Sequence, residues 1–268
     1  MKKNGPLALI FHTMFVIFMV APILVVCVVA FTSHGYLSLP TEGLSLRWFR
    51  QIANYPEFIR AFWTSVYLGA VSSTIAVILA VPAALAFSRY DFPGKGALSA
   101  FFLSPLMIPH VVLGIAFLRF FTQGGISGTM TALIIAHIIL VFPFALRLTL
   151  SAATGMDRSI EAAAISLGAG NFTLFRRVTL PLILPGLVSG WALSFIQSFD
   201  EVTMTVFLAA PGTETLPVRM FLYVQDNIDP LVTSVSAVVI AITMVVLIIL
   251  DRLYGLDAVL SGHSDRSS

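Results

Sequence analysis

The chain has 268 residues, of which 58% are hydrophobic and only 10% charged, with a net charge of +2 and a mean hydropathy of +0.96. Soluble domains carry about a quarter charged residues, so this composition excludes an ordinary soluble domain. The small positive charge gives no footing for nucleic acid, and the expectation is a single membrane domain over residues 1–268, all-α and polytopic, with short loops.

A spanning helix needs roughly 20 apolar residues. Six such runs occur, at residues 7–31, 61–87, 97–121, 129–150, 182–208 and 231–250. The first follows Lys2 and Lys3. Its core exceeds the ~7–15 apolar residues of a signal peptide and no small-x-small site follows, so it is expected to be retained. Cys27 lies within it and, as the single cysteine, forms no internal disulfide. Residues 32–60 are the longest outer segment and place Trp48, Tyr55 and Trp63 near the interface, where amphipathic rings are favoured. Within it, residues 44–52 are expected to form a short helix lying on the membrane.

Residues 88–96 form a tight inner turn with Asp91, Pro93 and Gly94. In the third run, Ser104-Pro-Leu-Met-Ile-Pro-His110 carries Pro105 and Pro109, which remove backbone donors and predict a broken or bent helix. Pro22, Pro82 and Pro143 sit in other spans, and lipid tolerates such gaps only where neighbouring helices or a cavity supply partners. Residues 123–128 are a Gly-rich outer turn without the lysine of a phosphate loop. Residues 209–230 form the second outer loop.

Lys and Arg are retained on the cytoplasmic side. With the N-terminus inside, the inner segments hold ten basic residues (Lys2, Lys3, Arg89, Lys95, Arg147, Arg158, Arg176, Arg177, Arg252, Arg266) and the outer segments five (Arg47, Arg50, Arg60, Arg119, Arg219). Both termini are therefore expected in the cytoplasm.

The fifth run carries a polar stripe: Gly190, Ser194, Gln197, Ser198, Glu201 and Thr205 fall on one helix face, with Asp200 at its edge. Such a stripe should face the bundle interior or a water-filled path. Asp200 lies about 19 residues past Pro181, roughly 28 Å along a helix, which puts the two carboxylates in the outer half of the membrane. They read either as an acidic wall along a cation path or as helix-end carboxylates paired with an arginine such as Arg119 or Arg219. His12, His110 and His137 are scattered one per span, so no metal site and no catalytic residues are expected.

Between the fourth and fifth runs lies the only sizeable polar segment, residues 155–181. Asp157 is placed to cap a helix whose apolar stripe is Ile160, Ala163, Ala164 and Leu167. Gly168 can end that helix in a left-handed conformation. Asn171 can cap a second short helix over residues 172–178 bearing Arg176 and Arg177, and Pro181 lets the next span begin. Two short helices below the membrane, small on one face, suit close approach by a partner.

This segment resembles the EAA loop of integral membrane permeases of ATP-binding-cassette (ABC) importers. The family pattern is Glu-Ala-Ala, three residues, Gly, nine residues, Ile or Val, one residue, Leu-Pro. Gly168, Val178 and Leu180-Pro181 match it. Counting back from Gly168 puts the Glu-Ala-Ala slot at Ala162-Ala163-Ala164, so Glu161 stands one position early. The resemblance covers about residues 5–255. Ser198-Phe-Asp200-Glu201-Val, Thr215-Leu-Pro217 and Ile228-Asp229-Pro230 resemble the spermidine/putrescine-type subgroup.

The resemblance implies a type I importer permease fold with about six spans in a bacterial inner membrane. It also implies a heterodimer with a second permease, two ATPase subunits that carry ATP and Mg, and a periplasmic substrate-binding protein, all in membrane lipid. This chain itself is expected to hold no cofactor, and it has no Gly-rich loop ending in Gly-Lys-Ser or Gly-Lys-Thr. Residues implied in ATPase coupling are Asp157, Glu161, Ala163, Ala164, Leu167, Gly168, Leu180 and Pro181, with the shape made by Ala163, Ala164, Leu167 and Gly168 counting for more than Glu161. The substrate path falls to Gly190, Ser194, Gln197, Ser198, Asp200, Glu201 and Thr205. A polyamine or related amine is the expected solute, with an amino acid, opine or phosphonate as alternatives. An ion-coupled secondary transporter would use Asp200 and Glu201 for its ion, but the internal repeats common in such proteins are absent from the sequence.

Overall fold

The computed structural model describes residues 5–40 and 43–254, whose regular structure is helical, with no β-strand among them. Lys2, Lys3 and Arg266, counted above for orientation, and both chain ends lie outside the described residues. The helices are α1 (Pro6–Val29), α2 (Arg47–Gln51), α3 (Pro56–Arg89), α4 (Lys95–Leu103), α5 (His110–Gln123), α6 (Met130–Gly155), α7 (Arg158–Ser166), α8 (Asn171–Leu174), α9 (Leu180–Phe199), α10 (Thr205–Leu208), α11 (Leu216–Asp226) and α12 (Leu231–Tyr254).

Among the described residues, four stretches are long and apolar enough to cross a membrane: α1, α3, α6 and the continuous helix Asn171–Phe199. The pair α4 and α5 is bent by 97° and makes a fifth if read as one broken span, and the apolar stretch Leu231–Val245 of α12 is the sixth apolar element. The expected break in the third run is present. Ser104–Leu106 tightens into a 3₁₀ turn, and Pro109 is extended at φ −56°, ψ 132° before α5 restarts at His110.

The chain divides into two compact units. The first comprises, among the described residues, those up to Ile59 and Met220–Ile249. Here the α1 end is tied to α12 by Ser234 Oγ donating to the Ala30 carbonyl at 3.2 Å. Asp229 accepts from the Leu231 amide at 3.0 Å, capping α12, and from the Tyr223 hydroxyl at 2.8 Å. Burial, with Asp229 as hydrogen-bond acceptor, pushes the Tyr223 hydroxyl well above its ordinary pKa. The short helix expected at residues 44–52 is present as α2, and Trp48 on it turns into the protein. It is buried, and its indole donates to the His34 carbonyl at 3.1 Å. A buried indole N–H needs an acceptor, and the loop carbonyl supplies one.

The second unit comprises, among the described residues, Arg60–Arg219 and 250–254. Its core joins α3 (Leu68, Ala76, Ala80, Ala84, Phe87) to α5 (Leu113, Phe121) and α6 (Ala132, Leu133, Ala136, Leu140, Val141). Between membrane helices there is no hydrophobic driving force, so small residues that allow dispersion contact do the joining. Gly186 is the closest case, since a Cβ there would lie 2.4 Å from Ala152 Cβ on α6. The helix α3 runs 34 residues, roughly 50 Å at 1.5 Å per residue. That exceeds a hydrocarbon core of ~30 Å, so α3 reaches beyond the membrane.

Candidate functional site

The inter-span segment folds from its sequence in clear steps. The Asp157 carboxylate accepts from the Ser159 amide at 2.9 Å and starts α7. That hydrogen bond holds the Asp157 carboxyl below the usual carboxylate range. At the other end Gly168 adopts φ +88°, a conformation a side chain resists. Its amide bonds to the Ile165 carbonyl at 2.9 Å, and the Ala169 amide to the Ala164 carbonyl at 3.0 Å. Together these make the double-bonded glycine stop that satisfies the last carbonyls of a helix.

The second short helix expected at residues 172–178 does not stand alone. Gly170, not Asn171, occupies the cap position, and the helix from Asn171 runs unbroken into α9 through a π-helical turn at Phe175–Thr179. Pro181 explains the wide turn. Proline lacks an N–H and crowds the carbonyl four residues earlier, and opening the turn there lets the helix continue.

Two faces of α7 differ. Ile160, Ala163, Ile165, Leu167 and Gly168 are exposed, Leu167 at 89%, and Phe172 nearby at 74%; Ala164 is half-buried. Glu161 is 8% exposed. One residue along a helix is a 100° rotation, so the displaced acidic position turns away from Ile160 and Leu167 toward the protein body. There Arg89, the last residue of α3, donates to Glu161 Oε1 at 2.5 Å. Thr179, in the wide turn, also donates to Oε1, and Arg89 reaches the Thr179 hydroxyl at 3.3 Å. Arg158 donates to the Ser88 carbonyl. Hydrogen bonds to charged groups contribute about 1.5–3 kcal/mol each, so this cluster fixes α7 firmly. Leu180 is half-buried and Pro181 exposed at the start of α9.

The polar stripe of the fifth run also resolves into roles. Gly190, Ser194, Ser198 and Thr205 are buried in the seam against α6. A Cβ at Gly190 would lie 3.4 Å from the Ala145 carbonyl. Ser194 donates to the Val141 carbonyl at 3.3 Å, while His137 bridges Ser198 at 2.7 Å and Thr205 at 3.0 Å. Gln197 is half-buried and Asp200 exposed.

The expected continuous span to residue 208 ends at Phe199 instead. Glu201, 6% exposed, uses one oxygen to accept the Met204 amide at 2.6 Å and the other to meet His110 Nδ1 at 2.7 Å. The carboxylate that ends the helix is thus paired with a histidine at the restart of α5. Neither Arg119 nor Arg219 takes that place, and Arg219 lies 3.5 Å from Glu214.

Both histidines were legible only as isolated polar residues in apolar runs. The signal that pairs them with the stripe is the need of every such group for a partner in lipid. Among the described residues no group of three or more His, Cys, Asp or Glu side chains is arranged to hold a metal ion.

The family described as "Binding-protein-dependent transport system inner membrane component" matches residues 73–256. The spermidine/putrescine transport system permease protein PotC of Haemophilus influenzae is 32% identical over 90% of this chain and 93% of its own length. The putrescine transport system permease protein PotI of Escherichia coli is 28% identical, covering 83% of this chain and 82% of its own. A putative 2-aminoethylphosphonate transport system permease protein, PhnV of Salmonella paratyphi A, is 30% identical over 94% and 95%. In fold, a chain of a bacterial alginate ABC importer superposes with a TM-score of 0.71 at 14% identity, covering 95% of this chain and all of that one. A chain of the inward-facing MetNI methionine ABC transporter gives 0.57 at 22% identity, over 77% and 96%. The chain belongs to the family of binding-protein-dependent transport system inner membrane components, and is an integral permease subunit of an ABC importer in the bacterial inner membrane.

Proposed function

We propose that this chain is one of two permease subunits that together form the path of an ATP-driven importer for a polyamine or related amine. The observation that carries the reading is the segment around α7. It is a capped, glycine-stopped helix between two spans that exposes Ile160 and Leu167 outside the apolar runs. Exposed apolar side chains beyond lipid mark a surface for a protein partner. An ATPase subunit docks there on Asp157, Ala163, Ala164, Leu167 and Gly168, with Leu180 and Pro181 shaping the entry to α9. ATP and Mg are held on two such subunits and no cofactor on this chain. Both termini and α7 lie in the cytoplasm, and a periplasmic binding protein delivers the solute to the opposite face.

The solute class draws support from the names of the PotC and PotI relatives and from the reachable Asp200, whose carboxylate suits an ammonium group. Gln197 and Asp200 face the path, while Gly190, Ser194, Ser198, Glu201 and Thr205 hold its wall together. The phosphonate named for one relative carries an amine as well, so it belongs in the same assay. The test is uptake of labelled spermidine, putrescine and 2-aminoethylphosphonate by the reconstituted complex with its binding protein. ATP-dependent uptake of one of the three is expected. Gly168→Trp should abolish uptake while capture by the binding protein is unchanged. Hydrolysis indifferent to any binding protein, or full transport by Gly168→Trp, would refute the reading.

A further inference from the structure

The inner end of α3 and the helix α7 hold each other by crossed arginines. Arg89 of α3 donates to Glu161 of α7 at 2.5 Å, and Arg158 of α7 donates to the Ser88 carbonyl of α3. Thr179, at the foot of α9, shares the same Glu161 oxygen. Glu161 is the single buried residue of α7, so the helix has no buried apolar anchor, and its hold on α3 is polar. The backbone already joins α7 to α6 on one side and to α9 on the other. The helix α3 has no such link, and residues 90–157 separate it in sequence from α7. It nonetheless shares the core with α6 through Ala76, Ala80, Ala84 and Phe87.

We infer that the Arg89–Glu161 pair is a transmission contact, through which displacement of α7 by a docked subunit is delivered to α3. The inference rests on the docking reading above. A charge-assisted pair has fixed direction and resists shear, whereas apolar helix faces slide past one another in small steps. Three helices then move together when α7 moves: α6 and α9 by covalent connection and α3 by this pair. Arg89 and Glu161 act through α3 and touch no solute, so they are positioning residues. The acidic residue does not meet the ATPase. It faces inward and carries the stroke.

The experiment uses the full complex in proteoliposomes and reads solute imported per ATP hydrolysed. Arg89→Gln should keep the ATPase bound and hydrolysis responsive to the binding protein, while uptake per ATP falls about tenfold. The exchange Arg89→Glu with Glu161→Arg should recover to within about threefold of the unaltered complex, as expected of a directly coupled pair. A second measurement needs no Arg89 variant. Spin labels at Tyr90→Cys and Ser166→Cys, on a Cys27→Ala background, should keep their separation to within about 2 Å between nucleotide-free and ATP-trapped states.

Unchanged uptake per ATP in Arg89→Gln would overturn the inference, and so would an exchange no better than Arg89→Glu alone. A label separation that changes by roughly one helical turn, ~5 Å, would overturn it too. Loss of the ATPase from Arg89→Gln would assign Arg89 to the docking face and also overturn it. Failure of the docking reading is distinct: Leu167→Glu would then retain the ATPase in full.

Discussion

The segment around α7 and the seam between α6 and α9 solve opposite problems with opposite faces. In the seam, polar groups turn inward: His137 bonds Ser198 and Thr205, and Ser194 donates to the Val141 carbonyl, all out of reach of lipid. Around α7 apolar groups turn outward, and Ile160 and Leu167 stand exposed between the stretches long enough to cross a membrane. The difference teaches where to look for adhesion and where for recognition. A polar group buried in a membrane is glue for its own chain, while an apolar group exposed outside the membrane is an address for another chain.

The comparison can be broken most directly at the seam's tightest point. Gly186→Leu puts a side chain where even a Cβ would meet Ala152 at 2.4 Å. Backbone separation of α6 and α9 should follow, with loss of folded protein from the membrane, measured as detergent-stable protein per cell. Wild-type yield would show that the seam yields more easily than its geometry implies. Next comes the address: Leu167→Glu should weaken ATPase retention by about tenfold, about 1.4 kcal/mol, within the range for a well-placed interface side chain, while the permease folds normally.

His137→Ala should destabilise the seam by about 0.6–1.7 kcal/mol, the span measured for hydrogen bonds between membrane helices, read by unfolding in mixed micelles without loss of ATPase binding. A loss of ATPase binding in that variant would erase the distinction between the two regions. The smallest effect is at the Asp157 cap. Its folded pKa is depressed, so its stabilisation is present above the unfolded value near 3.9 and is lost as pH falls through the lower folded value. Amide exchange of residues 159–161 should therefore be protected at neutral pH and quicken only at acid pH below about 4. Asp157→Asn should remove that pH dependence.

The spans were legible because apolar runs of about 20 residues have few alternatives. The broken third helix was legible from Pro105 and Pro109. The end of the fifth was not, because residues 202–208 remain largely apolar and continue the run. What stops the helix is the Glu201 carboxylate holding the Met204 amide, with His110 drawn in from 91 residues away. The pattern of one segment cannot announce a partner that distant. The same holds at α7. The shift of Glu161 by one position was visible in sequence, and the 100° rotation it implies could be derived. That Arg89 waits on that side depends on where α3 ends. The merging of the second short helix into α9 was hidden because Pro181 reads as the start of a new helix, whereas the wide turn at Phe175–Thr179 lets the helix run through it.

The wide turn at Phe175–Thr179 has a consequence for ancestry. Such a turn holds one residue more than an ordinary helical turn. Here the extra residue and Pro181 depend on each other, since the open ring gives the proline its room. Length and proline should therefore be inherited together. Descendants that lose one residue from 175–179 should lose Pro181 as well, and those that keep the proline should keep the spacing from Gly168 unchanged.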